Sequence, residues 1–176
     1  RGLIQIFGTP HENQNLSPEE MIIRDIYRRV KDLAAGSPRI QAEGYIGRDA
    51  LIEIYQRADV AVELMRCNIE RELAFTTRTI EYLWCGLPVV YNDYSEISDH
   101  IREYDAGWTI NPDDETAIGA VVDQIFSSPE IVAQKSRNAQ RLVRDRFSWD
   151  QTIEPLVQFL NNPRRAGTAI PALGAV

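Results

Sequence analysis

The stretch Glu72-Leu-Ala-Phe-Thr-Thr-Arg-Thr-Ile-Glu-Tyr-Leu-Trp-Cys-Gly-Leu-Pro-Val-Val-Tyr-Asn-Asp93 decides how this chain is read. It parses as a loop, a short helix from about Thr77 to Cys85, and a buried strand from Pro88 to Tyr91. Thr76 or Thr77 offers a hydroxyl as N-cap, and Gly86 stands where a glycine would end the helix. Pro88 opens the strand, where a missing N–H costs little. Glu81 then falls in the first turns, near the positive end of the helix dipole. A carboxylate there can accept from hydroxyls while free backbone N–H groups hold phosphate. A nucleotide-sugar site is one reading of such a stretch, to be judged by whether the remaining chain supports it.

The flanking sequence fits a strand–helix alternation. Leu3 to Phe7 is a short apolar run closed by Gly8-Thr9-Pro10. Ser17-Pro18-Glu19-Glu20 spells a capping box with proline at its favoured first position. Ile22, Ile23, Ile26, Tyr27, Val30 and Leu33 then recur on one helical face until Gly36-Ser37-Pro38. Further strands are expected at Arg39 to Ile46, Asp59 to Leu64, Pro88 to Tyr91 and Trp108 to Ile110. Helices over residues 48–57, burying Leu51, Ile52 and Tyr55, and over Ser95 to Glu103 complete the alternation. The second should stop near Asp105-Ala106-Gly107. The pattern predicts an α/β domain, a Rossmann-like doubly wound parallel sheet with helices on both faces.

After Pro112 the chain turns helical. Asp113 or Asp114 can cap a helix to about Phe126, and another runs from Pro129 to about Arg146. Ser148-Trp149-Asp150-Gln151 resembles a capping box for a last helix, which Pro155 should bend or delay. Residues 1–160 are expected to form one domain, and residues 161–176 a mobile tail.

Composition narrows the function classes. A chain of 176 residues, 44% hydrophobic and 26% charged, suits one soluble globular domain. A net charge of −7 argues against nucleic acid as a partner, although a local pocket for a diphosphate stays open. Cys67 and Cys85 are too few for a disulfide framework and are expected in a reduced interior. No run reaches membrane-spanning length and no signal peptide is visible, so the expected compartment is the cytoplasm. The start at Arg1, almost inside a strand, suggests a piece of a longer polypeptide.

The opening stretch resembles the C-terminal domain of retaining GT-B-fold glycosyltransferases, the group that includes glycogen and sucrose synthases. Glu81, Gly86, Pro88, Val89 and Val90 keep that group's spacing of a Glu five residues before Gly-x-Pro and a hydrophobic strand. The resemblance runs from about Leu3 to Leu160, with its specific part confined to residues 72–93. It implies transfer of a sugar from a nucleotide-sugar donor with retention, without a metal or other cofactor. Polysaccharide or glycoconjugate assembly is the expected setting. The base, the donor sugar and the acceptor are not specified. The resemblance also implies an N-terminal acceptor domain and a pyrophosphate-gripping Arg/Lys pair that this sequence lacks, so weak nucleotide binding and no turnover are expected of it alone.

Residue by residue, the resemblance makes Glu81 the ribose-binding carboxylate. It places the family's first acidic residue at position 73, which is Leu73 here; Glu72, one residue away, is the candidate catalytic carboxylate, and Glu70, three away, could serve in its stead, the sequence not deciding between the two. Phe75, Thr76, Thr77 and Arg78 lead into the helix as donor-binding residues, with Arg78 facing either phosphate or a surface carboxylate. Gly47 and Arg48, at the end of the second strand, would receive the base, and Gly47 also suits a tight turn. Asn92 follows the fourth strand at the same edge, while Ser95-Glu96 replaces a Gly-Gly common in relatives. His11 and His100 lack metal-ligand spacing, and Tyr82 and Trp84 suit core or domain contacts. Two rival functions remain: a sugar-nucleotide epimerase of the same fold, and a non-catalytic interaction domain that kept the fold.

Overall fold

The computed structural model describes residues 3–7 and 18–163. The turn at Gly8-Thr9-Pro10, the Ser17 cap, His11 and the tail from residue 164 onward lie outside the described residues. The chain alternates as the apolar pattern requires: β1 (Ile4–Phe7), α1 (Pro18–Ala35), β2 (Ile40–Glu43), α2 (Arg48–Arg57) and β3 (Ala61–Glu63). It continues through α3 (Ile69–Leu73), α4 (Thr77–Trp84), β4 (Val89–Asn92), α5 (Glu96–Tyr104) and β5 (Gly107–Ile110). Helices α6 (Glu115–Ser127), α7 (Pro129–Leu142) and α8 (Trp149–Asn161) follow, with a π-helical turn over Val143–Phe147 between the last two.

Every strand pairing is parallel, but the described strands form two sheets rather than one. β1 pairs with β2, Ile4 opposite Ile40, while β4 lies between β3 and β5, with Val89 opposite both Ala61 and Gly107. Alternating strands and helices specify parallel crossovers; they do not specify which strands are neighbours.

The core belongs to the three-stranded sheet. Leu83 of α4, Val89 of β4, Ile97 and Ile101 of α5 and Leu142 of α7 are fully buried around it. All four residues of β4 are buried, as expected of a central parallel strand covered on both faces. Gly107 permits the close approach of β5, because a Cβ there would stand 2.1 Å from the Val89 carbonyl oxygen. The left-handed conformation that ends α5 is taken by Asp105 (φ 53°) rather than by a glycine. Lys135 of α7 holds that turn: its ammonium binds the Asp105 carboxylate, donates to the Gly107 carbonyl at 2.9 Å and lies 5.0 Å from the Trp108 ring centre.

Several local expectations are revised. β3 is three residues long, shorter than the stretch from Asp59 to Leu64. A short helix, α3, occupies part of what the sequence suggested was loop; Asn68 caps it, its side chain accepting from the Arg71 N–H at 2.9 Å. Ser148 precedes α8 without a side-chain capping bond, and Pro155 sits inside a helix that runs unbroken to Asn161. Cys67 is exposed instead of interior, because it lies in the loop that leaves β3.

Candidate functional site

Parallel strands deliver their following loops to one edge of the sheet, and a ligand crevice is expected there. At the carboxyl end of β3 a cavity of about 480 Å³ is lined by Val62 to Met65, Arg71, Ala74 to Arg78, and Tyr82. Hydrogen bonds fix its walls. The Thr79 hydroxyl, fully buried, donates to Glu63 Oε2 at 2.7 Å and ties α4 to β3. Thr76 Oγ1 and the Tyr91 hydroxyl are 3.0 Å apart, joining the entry of α4 to β4. The Tyr94 hydroxyl donates to the Met65 carbonyl at 2.6 Å, holding the loop after β3.

The segment into α4 is therefore positioned by two strands. Thr76 is the N-cap residue, but its hydroxyl is engaged with Tyr91 and makes no capping bond. The first N–H groups of a helix have no intrahelical acceptor, so the opening of α4 presents donors beside the cavity. Phe75, Thr76, Thr77 and Arg78 all line it.

Glu81 stands one turn further along α4. Its Oε1 accepts from Arg48 Nη2 at 2.8 Å, and about a third of its side chain is exposed. This ion pair connects the start of α2 to α4. Gly47 precedes it as the N-cap of α2 with φ −63° and ψ 151°, and no atom lies within 4 Å of where its Cβ would be. The turn thus makes no demand for glycine at position 47. Gly47, Arg48 and Glu81 form one cluster, outside the lining of the cavity.

Three further candidates are placed elsewhere. Glu72 and Glu70 lie on the exposed side of α3 and do not line the cavity. Asn92 is buried at the end of β4, and its carbonyl accepts from the Ser98 hydroxyl at 2.7 Å. The Ser98 hydroxyl also accepts from the Ser95 N–H at 3.0 Å, so this edge is occupied by the cap of α5. His100 packs edge-on against Phe147 with ring centres 5.2 Å apart, a packing role.

Cavity residues that the sequence did not offer as site residues include Glu63, Met65 and Arg71. For Arg71 a signal existed, since Asn68 followed by Glu70 and Glu72 marks a helix start. Tyr82 contributes an aromatic wall and meets Tyr55 edge-on, ring centres 4.8 Å apart. Burial pushes the Tyr82 phenol well above its ordinary range, with the neighbouring Tyr55 adding to the effect. The Tyr55 phenol is also raised, again chiefly by burial. Trp84, at the far end of α4, is largely exposed and borders a second depression with Arg144, Phe147 and Trp149. Among the described residues no group of three or more His, Cys, Asp or Glu side chains is arranged to hold a metal ion. None of the described helices is long and apolar enough to cross a membrane.

Comparison with curated protein sequences gives no match. Among solved structures, sucrose-phosphate synthase from Thermosynechococcus elongatus superposes with a TM-score of 0.70 at 19% identity, covering 91% of this chain and 38% of that one. HepE from Anabaena, in complex with UDP-glucose, gives 0.68 at 15% identity over 90% and 40% of the two chains. The C-terminal domain of LpcC, a group 1 glycosyl transferase family protein from Francisella tularensis, gives 0.60 at 15% identity over 76% and 66%. The chain thus spans about two fifths of the first two proteins. These likenesses establish the fold as the α/β, Rossmann-like architecture of GT-B glycosyltransferases. Residues 17–128, well over half of the sequence, match the family described as "Glycosyl transferases group 1", and the chain belongs to that family.

Proposed function

We propose that this chain is the donor-binding domain of a glycosyltransferase that moves a sugar from a nucleotide-sugar to an acceptor with retention of configuration. The observation that carries the proposal is the meeting of the α4 opening with the carboxyl end of β3 around one cavity, with the Glu81 carboxylate one turn along the same helix. In this arrangement the diphosphate lies against the first N–H groups of α4 and Arg78, and Phe75 and Tyr82 supply apolar walls. Arg48 orients Glu81 through one carboxylate oxygen, and the ribose hydroxyls donate to the other. As the sugar–oxygen bond breaks, negative charge grows on the departing diphosphate. Fixed N–H dipoles and guanidinium groups stabilise that charge without a metal ion.

The solved relatives support the donor class, since HepE was captured with UDP-glucose and an E. coli trehalose-6-phosphate protein with UDP-2-fluoro glucose. The acceptor site belongs, in this proposal, to another domain of a longer polypeptide, closing over the cavity to exclude water. The exposed apolar residues of α8, Leu156, Phe159 and Leu160 among them, are the surface offered to it. The rival, a non-catalytic interaction domain, draws on the exposed position of Glu72 and Glu70 away from the cavity.

The test is turnover by the full-length protein with UDP-, GDP- and ADP-sugars, with the anomeric configuration of the product read by NMR. The proposal expects one donor class to be used with retention, and Glu81→Gln to weaken donor use at least tenfold. Inverted product contradicts retention. No turnover with any donor, together with no nucleotide affinity, favours the interaction domain.

A further inference from the structure

Glu63 ends β3 on a face where an apolar residue is expected. Side chains alternate along a strand, so Glu63 shares the side of Ala61, which is buried in the core. Glu63 is half-buried, and its Oε2 accepts at 2.7 Å from the hydroxyl of Thr79, itself fully buried on α4. It is the one carboxylate in the lining of the cavity. Arg71 and Arg78 share that lining, yet Glu63 forms no ion pair among the described residues. A glutamine here would accept the same hydroxyl bond without the cost of withdrawing a charge from water. The tie to Thr79 therefore does not account for the charge. That charge is felt within the cavity: burial first, then Tyr55 and Glu63, hold the Tyr82 phenol above its ordinary range. A carboxylate that faces a cavity without a counter-charge is a group set for a ligand.

We infer that Glu63 reads the sugar of the donor, accepting from its hydroxyl or ammonium hydrogens and rejecting a sugar that carries a carboxylate. This deepens the donor-binding reading and rests on it for the nucleotide. An ionised carboxylate has acceptors only, so it pairs with hydroxyl or ammonium donors and repels a second anion in a partly enclosed space. The N–H groups at the opening of α4 suit phosphate, whereas Glu63 suits neither phosphate nor uronate. The cavity thus offers one place for an anion and one for hydrogen-bond donors. A nucleoside diphosphate joined to a neutral or amino sugar supplies both. Glu63 is then a specificity-determining residue on β3, outside the stretch from Glu72 to Asp93. Thr79 fixes Oε2 and leaves Oε1 to the ligand, which makes it a positioning residue.

Calorimetric titration of the full-length protein tests this, first with UDP, GDP and ADP. The nucleotide that binds is then compared with a neutral hexose and with a uronic acid attached. The pairs are UDP-glucose and UDP-glucuronate, GDP-mannose and GDP-mannuronate, or ADP-glucose and ADP-glucuronate. The wild type is expected to bind the neutral form about tenfold tighter, because the added carboxylate meets Glu63. Glu63→Gln keeps an acceptor for Thr79 and is expected to bring the ratio close to one, chiefly by a gain in uronate affinity. Thr79→Val is expected to narrow the ratio with free-nucleotide affinity unchanged, and Thr79→Ser to restore it. Glu130→Gln, an equal charge change on α7, is expected to leave the ratio intact. Wild-type binding of the uronate as tight as that of the neutral form overturns the inference. So does an unchanged ratio in a folded Glu63→Gln or in Thr79→Val, or an equal loss in Glu130→Gln. In each of those cases the binding of a nucleotide leaves the donor reading standing. Failure of the wild type to bind any of the nucleotides or their sugar forms overturns both.

Discussion

The unit β1–α1–β2 and the unit β3–α4–β4–α5–β5 are built on the same parallel strand–helix plan, yet they differ sharply in burial. In the second, β4 is covered on both faces and Leu83, Ile97 and Ile101 are fully buried. In the first, Ile26 and Leu33 of α1 are 54% and 62% exposed, and Ile4 of β1 is 58% exposed. The apolar repeat along α1 is as regular as that along α5. Periodicity records the face a helix has available to bury, and burial needs a surface wide enough to receive it. A two-stranded parallel sheet does not cover an eighteen-residue helix, whereas three strands with α4, α5 and α7 enclose one another. The candidate site lies on the better-buried half, where the loops are tied to β3 and β4 by side-chain hydrogen bonds.

This contrast can be broken at its strongest point first. Gly107→Ala places a Cβ 2.1 Å from the Val89 carbonyl oxygen, so β5 must separate from β4. A loss of about 4 kcal/mol or more is expected, visible in urea denaturation as a collapsed midpoint or as failure to fold. Leu83→Ala removes a fully buried side chain between α4 and the sheet. Its expected cost is about 3 kcal/mol, and because α4 carries the site, ligand affinity should fall with stability.

An intermediate effect is expected from pH. Burial raises the Tyr82 and Tyr55 phenols in the folded state above their ordinary value of about 10. Above that value the unfolded chain releases protons that the folded chain retains. The contribution is therefore fully present below about pH 10 and is lost as pH climbs toward the raised folded values. Denaturation curves at several alkaline pH values should show this decline, and Tyr82→Phe should flatten it. At the small end, Ile26→Ala and Leu33→Ala in the isolated chain should each cost less than about 1 kcal/mol. Costs there comparable to Leu83→Ala would show that the first unit packs as tightly as the second.

The sequence disclosed the elements that owe their form to local chemistry. Gly86, with φ 78°, ends α4 as its position before Leu87-Pro88 implied, and Asp114 caps α6 by accepting from the Ala117 N–H. The motif also led to the cavity edge formed by Phe75 to Arg78. What was not legible depends on pairing in three dimensions. Gly107 seemed to be a helix-ending glycine, yet Asp105 takes the left-handed turn and Gly107 serves the close strand contact. Arg71 carried no site reading at all, because only the turn of α3 brings it to the cavity. Glu81 was visible as a lone carboxylate; its partner Arg48 lies 33 residues away, beyond the reach of any local pattern.

The central claim is that the enclosed half carries a nucleotide site at the opening of α4. An amide NMR titration of the chain with UDP, GDP and ADP tests it most directly. The account predicts that one nucleotide shifts amides from Phe75 to Glu81 and around Arg48, leaves α1 unmoved, and loses most of its effect in Glu81→Gln. Shifts confined to β1–α1–β2, or a response to every nucleotide that survives Glu81→Gln unchanged, would contradict it.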